Sequence, residues 1–200
     1  MGTELEWKLA VPERALLDQI AAWEPLQPLL AEPFREYEMR TTYYDTPDRK
    51  FADRHMTVRC RRENGEAVVC VKAPLPEAGD PSLHGEWETA GEEPLQALPE
   101  LVAAGAPRML LEAEVLRPVC RAAFHRRAVL LRFPDASVCE LALDCGALFG
   151  AAEEEPLCEL ELEMKAGDPA AARALYAGLS ARFGLEPQPL SKYARAKALG

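Results

Sequence analysis

Along much of the chain, polar and apolar residues alternate one by one. Glu4-Leu5-Glu6-Trp7-Lys8-Leu9 sets three charges against three large apolar side chains, and Glu159-Leu160-Glu161-Leu162-Glu163-Met164 sets three carboxylates against three apolar residues. Thr57-Val58-Arg59-Cys60-Arg61 puts two arginines on one side, and Glu86-Trp87-Glu88 repeats the pattern with acids. A period of two belongs to an extended strand, whose successive side chains point to opposite faces. The spacing predicts eight strands: Glu4–Ala10, Glu38–Tyr44, Thr57–Arg62, Ala67–Lys72, Ser82–Thr89, Arg121–Phe133, Ser137–Cys145 and Leu157–Lys165. Asn64-Gly65 between the third and fourth is a two-residue hairpin signal. Helices are predicted over Pro12–Trp23, with proline near the first turn, over Pro94–Ala104, and over Asp168–Phe183, with Gly184 as its stop; a short helix follows Ser191.

A strand with one charged and one apolar face ordinarily turns its charges to water. The set of such strands suggests another arrangement. Three glutamates at i, i+2 and i+4 repel one another unless cations lie close by. The Arg59–Arg61 strand carries cations with no acid on its face, so the two kinds of strand would compensate if they faced each other. An eight-stranded antiparallel sheet closed into a barrel brings them together, with an interior just wide enough for side chains or one small ligand. The apolar faces then point outward and need helices to cover them. The expected architecture is α+β: an eight-stranded antiparallel β-barrel, or tunnel, with a charged lumen covered by helices. In the Glu38–Tyr44 strand, Arg40 shares the parity of Thr42 and Tyr44 and is expected to reach that lumen. A lumen carrying carboxylates together with Arg and Lys suits a polyanion bound with a divalent metal.

Composition narrows the partners. The chain has 200 residues, with no internal repeat or linker-like stretch, and reads as a single domain over residues 1–200. Its 33 acidic and 23 basic residues leave a net charge of −10, which argues against nucleic acid as a partner. No apolar run reaches membrane-spanning length and no signal peptide opens the sequence, so no membrane role and a cytoplasmic location are expected. The six cysteines form no C-x-x-C pair and fit no zinc spacing; they are expected to be reduced and mostly buried. His55, His84 and His125 have no ligand spacing and are read as surface or structural residues.

Glu4-x-Glu6-x-Lys8 resembles the E-x-E-x-K signature of the CYTH superfamily, the triphosphate tunnel metalloenzymes. The family's further segments follow in order: Tyr43-Tyr44-Asp45-Thr46-Pro47, Val58-Arg59-Cys60-Arg61, Val71-Lys72, Glu86 with Glu88, Phe124-His125-Arg126, acidic Glu140 and Asp144, Cys158 to Glu163, and Ser191-Lys192. The acidic strand and the S-K-x-A-R tail are most similar to bacterial inorganic triphosphatases, which often carry an additional C-terminal helical domain; no such domain is expected here. The Tyr43–Pro47 segment is read as a strand end and turn rather than as chemistry.

The resemblance implies a tunnel that binds a triphosphate lengthwise. Lys8, Arg59, Arg61, Lys72, Arg126 and Lys192 would contact phosphate oxygens. Glu4, Glu6, Asp144, Glu161 and Glu163 would hold one or two Mg²⁺ or Mn²⁺ ions. Glu4, Glu6, Lys8, Glu86, Glu140 and Asp144 would form the catalytic set, as metal ligands or groups that orient water. Which two of Glu159, Glu161 and Glu163, and which of Glu86 and Glu88, take part stays open, with Glu161 and Glu163 favoured. The implied activity is metal-dependent hydrolysis of inorganic triphosphate (tripolyphosphate) to pyrophosphate and phosphate. The alternatives are thiamine triphosphatase, class IV adenylyl cyclase, or a non-catalytic module that binds polyphosphate or nucleotide. The chain is expected to act on a small-molecule triphosphate as a monomer or homodimer.

Overall fold

The computed structural model describes residues 2–3, 5–75 and 84–200. Glu4 and the first part of the Ser82–Thr89 strand lie outside the described residues. The strands are β1 (Gly2–Thr3), β2 (Glu6–Ala10), β3 (Arg35–Asp45), β4 (Thr57–Glu63), β5 (Glu66–Pro74), β6 (His84–Ala90), β7 (Arg117–Arg132), β8 (Val138–Phe149), β9 (Glu154–Ala166) and β10 (Glu186–Pro187). The helices are α1 (Arg14–Ala21), α2 (Pro94–Ala103), α3 (Ala170–Phe183) and α4 (Lys192–Lys197). Among the described residues, eight strands have five residues or more, β2 to β9, and each overlaps one of the expected strands.

All ten strands form one antiparallel sheet in the order β1-β6-β5-β4-β3-β7-β8-β9-β2-β10. The hydrogen bonds do not run around a full circumference. The N-terminal segment divides its pairing instead: Gly2–Thr3 pairs with β6, and Glu6–Ala10 pairs with β9 on the opposite flank. The chain itself thus links the two flanks of the tunnel. The β4–β5 hairpin turns on Asn64 and Gly65, with φ of 50° and 96°, the double positive φ that matches strand twist in a two-residue loop.

The apolar faces look outward, and helices cover them. Leu17 and Ile20 of α1 and Ala172 and Leu179 of α3 pack on Leu9, Leu141, Leu160 and Leu162, alternate residues of β2, β8 and β9. Leu98 and Leu101 of α2 pack on Val58, Val69, Val71 and Trp87 of β4, β5 and β6. Each such leucine contributes about 1.5–3 kcal/mol when fully buried, so the covering helices are held by the strands' own alternation. A third cluster, with Met39, Tyr43, Ala122, Phe124 and Leu148, packs from the inner face onto Ala196 of α4. Gly146 of β8 permits the close approach of β7 beside this cluster: a Cβ there would stand 2.5 Å from Phe124 Cα and 2.2 Å from the Ala123 carbonyl oxygen.

Two details differ from expectation or refine it. Arg40 is exposed, whereas Met39, Thr41 and Tyr43 are buried and line the interior, so the lumen takes the odd residues of β3 rather than the even ones. Both faces of this strand mix polar and apolar residues, so alternation alone could not orient it. The Tyr43–Pro47 segment is built as a strand end and turn. The buried Asp45 carboxylate accepts hydrogen bonds from the backbone N–H groups of Thr46, Phe51 and Ala52 at 2.8, 3.0 and 3.1 Å. All six cysteines are free thiols, four of them buried. Among the described residues no helix is long and apolar enough to cross a membrane.

Candidate active site

The inward faces enclose a cavity of about 850 Å³. Its wall includes Glu6 and Lys8 from β2, Arg59 and Arg61 from β4, Lys72 from β5, Arg126 from β7, Glu161 and Glu163 from β9, and Lys192 at the start of α4. Residues scattered from 6 to 192 converge because each strand turns one of its two faces, and the charges on it, inward. Register then decides which charges become neighbours. Glu6 lies opposite Glu163, and Glu163 opposite Glu140; Glu159 lies opposite Asp144, and Asp144 opposite Arg126.

One wall is basic. Arg59 donates to Glu86 Oε1 at 2.9 Å, and Lys72 Nζ stands 3.8 Å from the same oxygen. Arg61 donates to Glu88 Oε1 at 3.1 Å. Glu86 and Glu88 share a face while Trp87 points into the outer core, so both acids back the arginines, Glu86 behind Arg59 and Glu88, 40% exposed, toward solvent. Arg59 Nε is buried without a hydrogen-bond partner. Burial alone would weaken the Arg59 charge, but nearby acidic groups, Glu86 and Glu88 among them, hold its pKa well above the ordinary arginine value, so it stays cationic. An obligatory cation with an unmet donor inside a cavity is suited to an incoming anion.

The far wall is acidic and more deeply buried. Asp144 and Glu159 are fully buried. Arg126 grips Asp144 with two hydrogen bonds of 2.7 Å and reaches Glu161 at 2.6 Å. Lys192 donates to Glu159 and, at 2.9 Å, to Glu161, and stands 2.8 Å from Asp144 Oδ2. Arg195, which the sequence reading did not single out, donates to Glu159 at 2.7 Å and to Glu155 at 2.6 Å. The signal that could have found it is its position three residues after Lys192, on the same face of a short helix. Ser191 caps that helix by accepting from Ala194 N–H at 3.1 Å. Burial pushes the Glu159 carboxyl up. Burial also opposes the Glu161 charge, but Lys192 and Arg126 overcome it and hold Glu161 well below the usual carboxylate range.

Between these walls lies a half-open pair. Glu6 accepts from Lys8 at 3.2 Å, and Glu163 pairs with Lys165 at 2.7 Å, each carboxylate about one-third exposed or less. Glu140 stands beside Glu163, 3.9 Å from Lys165, and does not line the cavity. His55 and His84 line the cavity, an addition to their expected surface role. The donors fit Mg²⁺ or Mn²⁺ in kind, since both ions prefer hard carboxylate oxygens. Asp144, Glu159 and Glu161 bring one oxygen each within 4.8 Å of the others, and so do Glu86 and Glu88 together with the Cys70 sulfur.

Solved structures share this architecture. An adenylyl cyclase candidate from Hippeastrum, described as having a dominant triphosphatase activity, superimposes with a TM-score of 0.58 at 17% identity, covering 98% of this chain and 96% of its own. An adenylate cyclase candidate from Bacillus halodurans gives 0.55 at 17% identity over 96% of both chains, and a Pyrococcus horikoshii protein gives 0.54 at 21% over 94% of both. At these identities the likeness concerns the fold. A Haemophilus influenzae inorganic triphosphatase is 29% identical over 136 residues, 64% of this chain. The match spans only about a third of that relative, 36% of its length. The sequence model of the CYTH domain matches residues 2–196, and with it the chain belongs to the CYTH family.

Proposed function

We propose that the protein is a metal-dependent phosphoanhydride hydrolase whose substrate is inorganic triphosphate, cleaved to pyrophosphate and phosphate. The observation that carries this reading is the basic wall, where Arg59, Arg61 and Lys72 line a cavity opposite carboxylates and Arg59 keeps a buried N–H without an acceptor. The similarity to an inorganic triphosphatase supports the same chemistry.

Arg59 and Arg61 bind phosphate oxygens in their planar forks, and Lys72 and Lys8 add point charges. Glu88, 40% exposed, holds Arg61 only weakly, whereas Glu86, 16% exposed, holds Arg59 in a more sheltered pair that a phosphate must match in charge to replace. Arg126 lines the cavity beside Glu161 and faces the other end of the substrate. Glu6 and Glu163 would hold a divalent ion, Mg²⁺ or Mn²⁺, and would orient an attacking water from the half-open side. When bound, that ion neutralises phosphate charge and lowers the barrier to in-line displacement. Phosphoryl transfer asks little covalent chemistry of a protein, so positioning and charge stabilisation suffice and no nucleophilic side chain is needed. Six free cysteines agree with a reducing compartment such as the cytoplasm.

The test is phosphate release from inorganic triphosphate, thiamine triphosphate and ATP, each with and without Mg²⁺ or Mn²⁺. Metal-dependent release that is fastest with inorganic triphosphate is expected. Preference for thiamine triphosphate, or cyclic AMP formed from ATP, would replace the substrate. Tight binding without turnover of any substrate would leave a binding module.

A further inference from the structure

One acidic group, Asp144, Glu159 and Glu161, already contains a cation. Lys192 Nζ stands 2.8 Å from Asp144 Oδ2 and 2.9 Å from Glu161 Oε1, and it also donates to Glu159. Those three residues are the ones whose oxygens lie within 4.8 Å of one another. The ammonium therefore sits where a divalent ion would have to sit. We propose that Lys192 is the resident cation of the Asp144–Glu159–Glu161 group and excludes Mg²⁺ or Mn²⁺ from it, so that this group anchors α4 instead of holding metal.

Charge, donor count and tethering support this assignment. The three carboxylates are met by three cations, Arg126, Lys192 and Arg195, the last shared with Glu155, so each already has a cationic partner before any ion arrives. A dication would enter a buried cluster whose carboxylates are already paired and would have to expel the ammonium first, leaving that charge to find another partner. An ammonium has three N–H donors; two are committed to Glu159 and Glu161 with Asp144 adjacent, which leaves little for a phosphate. Lys192 is also fixed from behind. It opens α4, where Ser191 caps the helix, Arg195 binds Glu159 and Glu155, and Ala196 is fully buried in the inner cluster. Among the described residues the half-open Glu6–Glu163 side has no such buried ammonium between its acids; Lys8 and Lys165 pair with them from the edges.

The proposal rests on the metal-dependent reading of the tunnel, but its test measures metal binding to the full chain without substrate. Mn²⁺ binding is followed by electron paramagnetic resonance and calorimetry. Asp144→Asn, nearly isosteric, is expected to leave the Mn²⁺ stoichiometry unchanged and the affinity within about twofold. Lys192→Met is expected to gain one Mn²⁺ per chain, and the Lys192→Met/Asp144→Asn double variant to lose it again. A tenfold or greater loss of Mn²⁺ affinity in Asp144→Asn, or no added ion in a folded Lys192→Met, overturns the proposal. Anomalous diffraction from Mn²⁺-soaked wild-type crystals decides the matter even where Lys192→Met does not fold. An Mn²⁺ peak coordinated by Asp144 or Glu159 overturns it, and none at those residues supports it. Turnover in the phosphate-release panel stands apart from all these readouts, so the function can fail while this assignment holds, and the reverse.

Discussion

The two charged walls of the tunnel use similar residues for opposite ends. On the acidic wall Asp144 and Glu159 are wholly shielded from water, and every carboxylate is met by a guanidinium or an ammonium at hydrogen-bonding distance. On the basic wall one of the two acids behind the arginines reaches solvent, Glu88 to 40% against 16% for Glu86, and Arg59 keeps a donor unmet. A buried, saturated network resists change, because removing one member strands another charge. An exposed pair costs little to open. The first wall therefore holds the structure together, and the second is ready to exchange its partners for a ligand.

The largest effect should come from breaking the saturated wall. Asp144→Ala leaves Arg126 and Lys192 short of a buried anion and should cost about 3–5 kcal/mol. For a chain of this size that lowers the melting temperature by on the order of 10 °C. Glu88→Ala on the other wall removes a partly exposed pair, worth about 1 kcal/mol or less. Thermal unfolding followed by circular dichroism compares the two directly, and equal losses would erase the distinction between the walls.

The next effect is on function and should reverse the ranking. Arg59→Ala removes a charge-assisted contact worth about 1.5–3 kcal/mol to a bound phosphate. It should lower kcat/KM roughly 10–100-fold, with a raised KM. Arg59→Lys should recover part of the loss, since an ammonium keeps the charge but not the planar fork. Steady-state kinetics with inorganic triphosphate make the measurement, and an unchanged KM in Arg59→Ala would remove Arg59 from the substrate site.

Much of this contrast could be read in the sequence, and its limits are physical. Period-two alternation with charges on one parity marked the strands and the inward turn of Glu6, Arg59, Arg61 and Glu161. The same parity could not rank Glu159, Glu161 and Glu163, because all three point inward. Register separates them: Glu159 falls beside buried Asp144, and Glu163 beside Glu6 and Glu140. Arg195 was read only as the end of the S-K-x-A-R tail, because its ion pairs with Glu155 and Glu159 depend on where α4 docks, a long-range contact that spacing on the helix suggests but does not place. Arg40 was misplaced for a related reason: β3 carries mixed side chains on both faces, and only its packing shows which face is inside. The division of labour between the walls is thus a property of pairing and depth, which alternation does not encode.

The smallest effect offers the finest probe of the basic wall. Cys70 lies behind it and donates through its sulfur to Glu86 Oε1 at 2.7 Å. Burial pushes the thiol up to about 12, with Glu86 adding to the rise and Arg59 opposing it. Only the thiolate reacts with alkylating reagents, so near pH 8 Cys70 should be modified roughly a thousandfold more slowly than an ordinary thiol. Glu86→Gln removes the neighbouring negative charge and should lower the thiol pKa, raising the alkylation rate at Cys70 several-fold. Site-resolved mass spectrometry after timed iodoacetamide treatment reads both values. If Cys70 in the unaltered chain reacted as fast as a free thiol, the basic wall would be open to solvent at its back. Its arginines would then be ordinary surface charges, and the contrast between the two walls would lose its physical basis.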